Sequence, residues 1–225
     1  MNAGRTQQEI LRAELAAAYA AGALDSAMNL LVETQAGVAA RAANMIGMAE
    51  AISGAMLEAE TPSPLRADAL ENVFAKIANE PPQAAAMRVL TERNASLMAE
   101  ISTLPAVLQD AAIRTLARRK WNRPTFGLRV LELDVESDGK CELIRIEPGL
   151  SIPKHTHEGP EYTLVLTGAF SDESGRYDVG DVSFADPNVR HKPRAERQGV
   201  CWNLAVTYGE LKWSGALGLV QKLLN

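Results

Sequence analysis

Residues 149–168 read GLSIPKHTHEGPEYTLVLTG, and this stretch decides the architecture of the C-terminal half. His155 and His157 are separated by one residue, so on an extended segment both imidazoles point to the same side. Gly159-Pro160 supplies a turn, and the run Glu161-Tyr162-Thr163-Leu164-Val165-Leu166 that follows has strand composition. A second strand leaving that turn brings the Glu161 carboxylate back beside the imidazoles. The chain holds one further histidine, His191, and none before His155. Three imidazoles and one carboxylate form a donor set for a divalent transition metal. The expected ligands are therefore His155, His157, Glu161 and His191. Zinc is the leading candidate, with manganese, iron or nickel as the other ions such donors accept.

Outward from this stretch the strand signals continue on both sides. Upstream lie Leu128-Val130-Leu131-Leu133-Val135, the hairpin signal Asp138-Gly139, and Cys141-Leu143-Ile144-Ile146, ended by Pro148-Gly149. Downstream lie Gly168-Ala169-Phe170, Arg176 to Asp181, Val182-Ser183-Phe184 and Cys201 to Val206. Short strands at regular spacing with Gly and Pro turns imply a small barrel or jelly roll.

The N-terminal part has a different composition. Eighteen of the first 60 residues are alanine, which loses no side-chain entropy in a helix. Helices are expected over 7–21, ended by Gly22, and from an Asp25 or Ser26 cap through Met28, Leu30, Leu31 and Val32 to a break at Gly37. Two more are expected over 39–59 and 65–78, the last with Leu70, Val73, Phe74 and Ile77 at helical spacing. Thr61-Pro62-Ser63-Pro64 separates these two. Residues 83–103 read as a further helix or a linker. Pro105 opens a last helix to about Arg119, closed by Arg118-Arg119-Lys120. The fold class is therefore α+β: a helical region over 1–80, a connecting segment over 81–103, and a domain over 104–225 that holds the all-β barrel. The packing set expected for the helical region is Leu11, Leu15, Tyr19, Leu30, Leu31, Ile46 and Ile52. Met45, Met48 and Met56 are expected in the core. The leucine and methionine content exceeds what four short helices need for one small core, so residues 1–80 are expected to present a protein interface. The barrel is expected to fold without them.

Composition excludes several function classes. The 225 residues carry 47% apolar and 23% charged side chains, and the mean hydropathy is −0.10. No run of 18 apolar residues is free of charge, which argues against a membrane span. The start, MNAGRTQQEI, lacks a charged-then-apolar leader pattern, so the expected location is cytoplasmic. Net charge is −5, which argues against nucleic acid as a direct partner. Two cysteines, Cys141 and Cys201, exclude a disulfide scaffold.

The run Gly149-x5-His155-x-His157-x3-Glu161-x6-Gly168 matches the first cupin motif, and Gly180 with His191 matches the first glycine and the histidine of the second. Asp186, Asn188 and Ala195 replace the proline, second glycine and asparagine of that second motif, leaving all four ligand positions intact. The stretch His155 to Phe170, together with Ala18-Tyr19-Ala20-Ala21-Gly22-Ala23-Leu24 and Leu30-Leu31-Val32-Glu33-Thr34, resembles the ChrR family of cupin-containing anti-sigma factors. The resemblance implies a helical domain that holds a sigma factor of the extracytoplasmic-function group and a metal-binding cupin that takes part in its release on stress. The family's helical domain carries a zinc site with an H-x3-C-x2-C element. Gln35, Ala39 and Ala42 stand at those positions here, so zinc is not expected among the helices. Two functions follow from the same residues. One is a transcription regulator that sequesters a sigma factor, with homo-oligomerisation as a further possibility. The other is a metal-dependent cupin enzyme of the dioxygenase type acting on a small molecule, and the 100-residue helical region favours the regulator.

Overall fold

The computed structural model describes residues 3–78 and 95–213. Six helices come first among these: α1 (Ala3–Ala20), α2 (Ser26–Val38), α3 (Ala40–Glu58), α4 (Ala69–Ala78), α5 (Ala95–Ile101) and α6 (Ala106–Leu116). Eleven strands follow. They are β1 (Asn122–Thr125), β2 (Leu128–Glu132), β3 (Lys140–Ile146), β4 (His155–His157), β5 (Glu161–Thr167) and β6 (Ala169–Asp172), then β7 (Gly175–Asp178), β8 (Val182–Ala185), β9 (Arg194–Ala195), β10 (Cys201–Thr207) and β11 (Leu211–Trp213). The α+β class and the order of its two parts are as the sequence implies.

Local chemistry explains the helix ends. After α1, Gly22 N–H donates to Tyr19 O at 2.9 Å and Ala23 N–H to Ala18 O at 2.9 Å, a Schellman ending. Asp25 caps α2 by accepting from Met28 N at 2.9 Å. Gly37 does not break α2, which runs on to Val38; the chain turns at Ala39, whose φ of −137° is extended. The glycine serves packing instead. A Cβ on Gly37 would lie 2.8 Å from Pro105 Cβ, so only glycine lets the start of α6 approach so closely. The fourth helix starts at Ala69 rather than 65. Of the 83–103 segment, residues 95–101 are helical, and 83–94 lie outside the described residues. Arg118 and Arg119 follow the end of α6 and pair with Asp134 at 3.2 Å and Glu132 at 2.7 Å.

Three antiparallel sheets build the β part: a six-stranded sheet in the order β1-β2-β3-β10-β5-β8, a three-stranded sheet β7-β6-β9, and the pair β11-β4. Alternation along the central strands sorts side chains into two cores. Ile144, Ile146, Val165, Cys201 and Ala205 face inward with Phe170 of β6. Leu131, Cys141, Leu143, Leu164, Leu204 and Val206 face outward and join Leu15, Leu30, Leu31, Ile46, Leu97 and Leu108 of the helices in one buried cluster. The helix α2 lies against α3, α6 and strands β5 and β10. The outer face of the large sheet is therefore covered by helices, from residues of 1–80 and of 95–116 alike. Polar contacts reinforce the seam. Gln35 Nε2 donates to Gly180 O at 2.9 Å, Arg12 pairs with Asp181 at 2.6 Å, and Asp25 Oδ2 accepts from Tyr208 OH at 2.6 Å. Gln8 pairs with the free edge of β8, donating to Val182 O at 2.8 Å and accepting from Val182 N at 3.0 Å.

The helical packing set needs correction in part. Leu15, Leu30, Leu31 and Ile46 are buried, but Ile52 is 62% exposed, as are Met48 and Met56 to a similar degree; Met45 alone of the three methionines packs on the core. α4 buries no residue: Leu70, Val73, Phe74 and Ile77 are each more than half exposed. Among the described residues, no helix is long and apolar enough to cross a membrane.

Candidate metal centre

Three backbone devices place the four sequence-chosen residues. The alternation of β4 sends His155 and His157 inward and Thr156 outward, where the Thr156 hydroxyl donates to Val189 O at 2.7 Å. The pairing of β4 with β11 holds one edge of this short strand. On its other edge His155 and His191 exchange two backbone hydrogen bonds of 3.0 Å each. This bridge brings a histidine 36 residues away onto the same site. Glu161 opens β5 opposite Thr207 of β10 and Ala185 of β8.

One ligand atom from each residue lies within 4.8 Å of the others. His157 Nε2 is 2.9 Å from Glu161 Oε2, and His191 Nε2 is 3.7 Å from Glu161 Oε1. His191 Nε2 and His155 Nε2 are 3.1 Å apart. All four residues are buried, the three imidazoles to 3% exposure or less. The Glu161 carboxylate accepts from Thr163 Oγ1 at 3.1 Å and Thr207 Oγ1 at 3.3 Å. The arrangement is a group of donors converging on one point, and such a group can hold a metal ion.

Electrostatics support the same picture. Burial pushes the His155 imidazole down to about 4, which keeps it in its neutral, ligating form at pH 7. His155 Nδ1 sits 2.7 Å from Pro153 O. A carbonyl only accepts, so Nδ1 carries the proton and the Nε2 lone pair faces the site. For Glu161, burial alone would raise the carboxyl. The neighbouring His157 imidazole, with His191 and His155 beyond it, outweighs burial and holds the carboxyl below the usual range. His157 is enclosed on all sides, yet neither of its ring nitrogens has a hydrogen-bond partner of proper geometry.

Other polar, aromatic and thiol side chains of the barrel lie away from this group. Arg145 faces neither the barrel interior nor bulk solvent. It sits under the helices, 2.7 Å from Glu100 and 2.6 Å from Glu147, with Trp202 beneath it. The Tyr162 and Phe184 rings meet at 5.0 Å between centroids with their planes tilted by 49°, and Phe184 is 40% exposed. Both cysteines are buried, and burial raises their thiols to about 12 for Cys141 and about 11 for Cys201, so neither is a thiolate at neutral pH. Asp172 and the threonines 163 and 207 were missed. Thr163 reaches Glu161 from two residues along the same strand, whereas Asp172 and Thr207 reach His191 and Glu161 from strands remote in sequence, and only the fold brings them there.

Residues 109–210 match the family model described as ChrR Cupin-like domain. The anti-sigma-E factor ChrR of Cereibacter sphaeroides is 32% identical over 203 residues, covering 90% of this chain and 91% of that protein. The crystal structure of Rhodobacter sphaeroides SigE in complex with the anti-sigma ChrR superposes with a TM-score of 0.64 at 32% identity, covering 87% of this chain and 96% of the matched one. Identity at this level across nearly all of both chains, helical part included, means that the chain belongs to the ChrR family of cupin-containing anti-sigma factors.

Proposed function

We propose that this protein sequesters a sigma factor of the extracytoplasmic-function group and releases it in response to stress, with a metal-bearing cupin taking part in release. In this reading residues 1–80 furnish the sigma-binding surface, 104–225 the metal-bearing barrel, and 81–103 join them. The observation that carries the reading is the match to ChrR over nine-tenths of the chain, not the cupin alone. The surface agrees with it. α4 presents Leu70, Val73, Phe74 and Ile77 unburied, and α3 adds Met48, Ile52, Met56 and Leu57. Apolar area on this scale marks a partner site. Co-expression with candidate sigma factors of this group tests the proposal. One of them is expected to co-purify at one per chain, and failure of every such factor to do so would overturn it.

His155, His157, Glu161 and His191 would hold the metal. The buried His157, with both nitrogens unsatisfied beside a carboxylate oxygen, fits a bound cation better than an empty polar pocket, because an unpaired buried polar group costs about 1–3 kcal/mol. Zinc suits three imidazole nitrogens and one carboxylate oxygen. The helical domain would bind none, since Gln35 spends its amide on Gly180 and neither Ala39 nor Ala42 has a donor atom. Elemental analysis of protein purified without chelator distinguishes zinc from manganese, iron and nickel.

A further inference from the structure

Two of the three imidazoles are oriented by different means. His155 is fixed by a backbone carbonyl, which no side-chain substitution removes. His191 depends on a side chain: its Nδ1 lies 3.2 Å from Oδ2 of Asp172, whose side chain is 1% exposed. The other oxygen of Asp172 is already engaged. Oδ1 accepts from Ser174 N at 2.8 Å and Gly175 N at 3.3 Å, which shapes the turn between β6 and β7. The next residue binds the same region from outside. Glu173 accepts from Lys154 Nζ at 2.9 Å, beside His155, and from Lys192 N at 2.8 Å, beside His191.

A carboxylate offers only acceptors, so the Asp172 contact places a proton on Nδ1 of His191. Nε2 then has its lone pair toward Glu161 and His155. We infer that Asp172 is a positioning residue for the metal site, holding His191 in the orientation and protonation pattern in which Nε2 can ligate. The inference rests on the metal reading above. An outer carboxylate of this kind orients a metal-bound histidine, and its loss costs 10- to 100-fold in affinity.

Asp172→Asn separates orientation from folding. The two backbone N–H groups of the turn claim the amide oxygen, so the amide NH2 falls on the His191 side. A donor there drives the proton off Nδ1. The experiment uses the full chain and two readouts: zinc affinity by chelator competition, and the protonation of His191 Nδ1 by nitrogen NMR of the metal-free protein. The wild type is expected to show a protonated Nδ1, and the variant an unprotonated one with zinc bound 10- to 100-fold more weakly. Affinity within about twofold of the wild type, or an unchanged Nδ1, overturns the inference. An unprotonated Nδ1 in the wild type overturns it whether or not the variant folds. If the wild type takes up no zinc, the metal reading fails, and the nitrogen signature alone decides the role of Asp172.

Discussion

Gly180 is where the barrel meets the end of α2, and adding one methyl group there tests the docking of the two parts. Its φ is +85°, and a Cβ would lie 2.7 Å from Ala39 Cβ. Two costs follow for Gly180→Ala. A left-handed backbone costs a side-chain-bearing residue about 1–2 kcal/mol. The clash falls on a methyl group with no rotamer to escape into, and overpacking of this kind costs about 1–3 kcal/mol. The single variant is therefore expected to lose about 2–5 kcal/mol. Ala39→Gly alone removes one methyl at a helix N-cap, where glycine is accepted, and is expected to cost less than about 1 kcal/mol. In the double variant the clash disappears while the backbone strain stays, so about 1–3 kcal/mol should return. Urea unfolding of the four proteins closes the cycle. A coupling below about 0.5 kcal/mol would mean that positions 39 and 180 do not touch, and that the helices do not sit on the barrel as described.

Other outcomes follow from the same geometry. His157→Ala should remove most of the metal, read by elemental analysis, and full occupancy in that variant would refute the ligand set. The metal-free protein should lose stability as the pH falls from 6.5 toward 4. His155 titrates near 4 when folded and near 6.5 when unfolded, so the unfolded chain binds the extra proton across that window. The loss amounts to no more than about 3 kcal/mol, and a flat stability profile between these values would contradict the burial of His155. Phe74→Asp changes a residue 61% exposed. It should weaken sigma binding at least about tenfold, a loss of about 1.4 kcal/mol, with the unfolding midpoint unchanged; undiminished binding would clear α4 of a role in the interface.

The converging side chains of His155, His157 and Glu161 were legible because the cupin spacing fixes them locally: H-x-H on a strand, then a turn, then a carboxylate. His191 was legible by its scarcity as well as its distance from Gly180. The helices were legible from alanine content and caps, and Asp25 and Gly22 act as their residue types dictate. Other features depend on partners distant in sequence. Gly37 reads as a breaker until Pro105 is seen against it. Nothing near Arg145 in the chain points to Glu100, which pairs with it across 45 residues. Ile52 fits a helical stripe but lies on the side of α3 that no other described element covers. Gln35, read only as the loss of a zinc ligand, bonds the barrel instead. Periodicity shows that a helix has an apolar face. It does not show whether that face meets this chain or another.

The most direct test of the central claim is transcription in a purified system. Core RNA polymerase, a sigma factor of the extracytoplasmic-function group that co-purifies with this protein, and its promoter are combined with increasing amounts of the full chain. Transcript should fall to background as the protein reaches one per sigma factor. Undiminished transcript at a large molar excess would contradict the account.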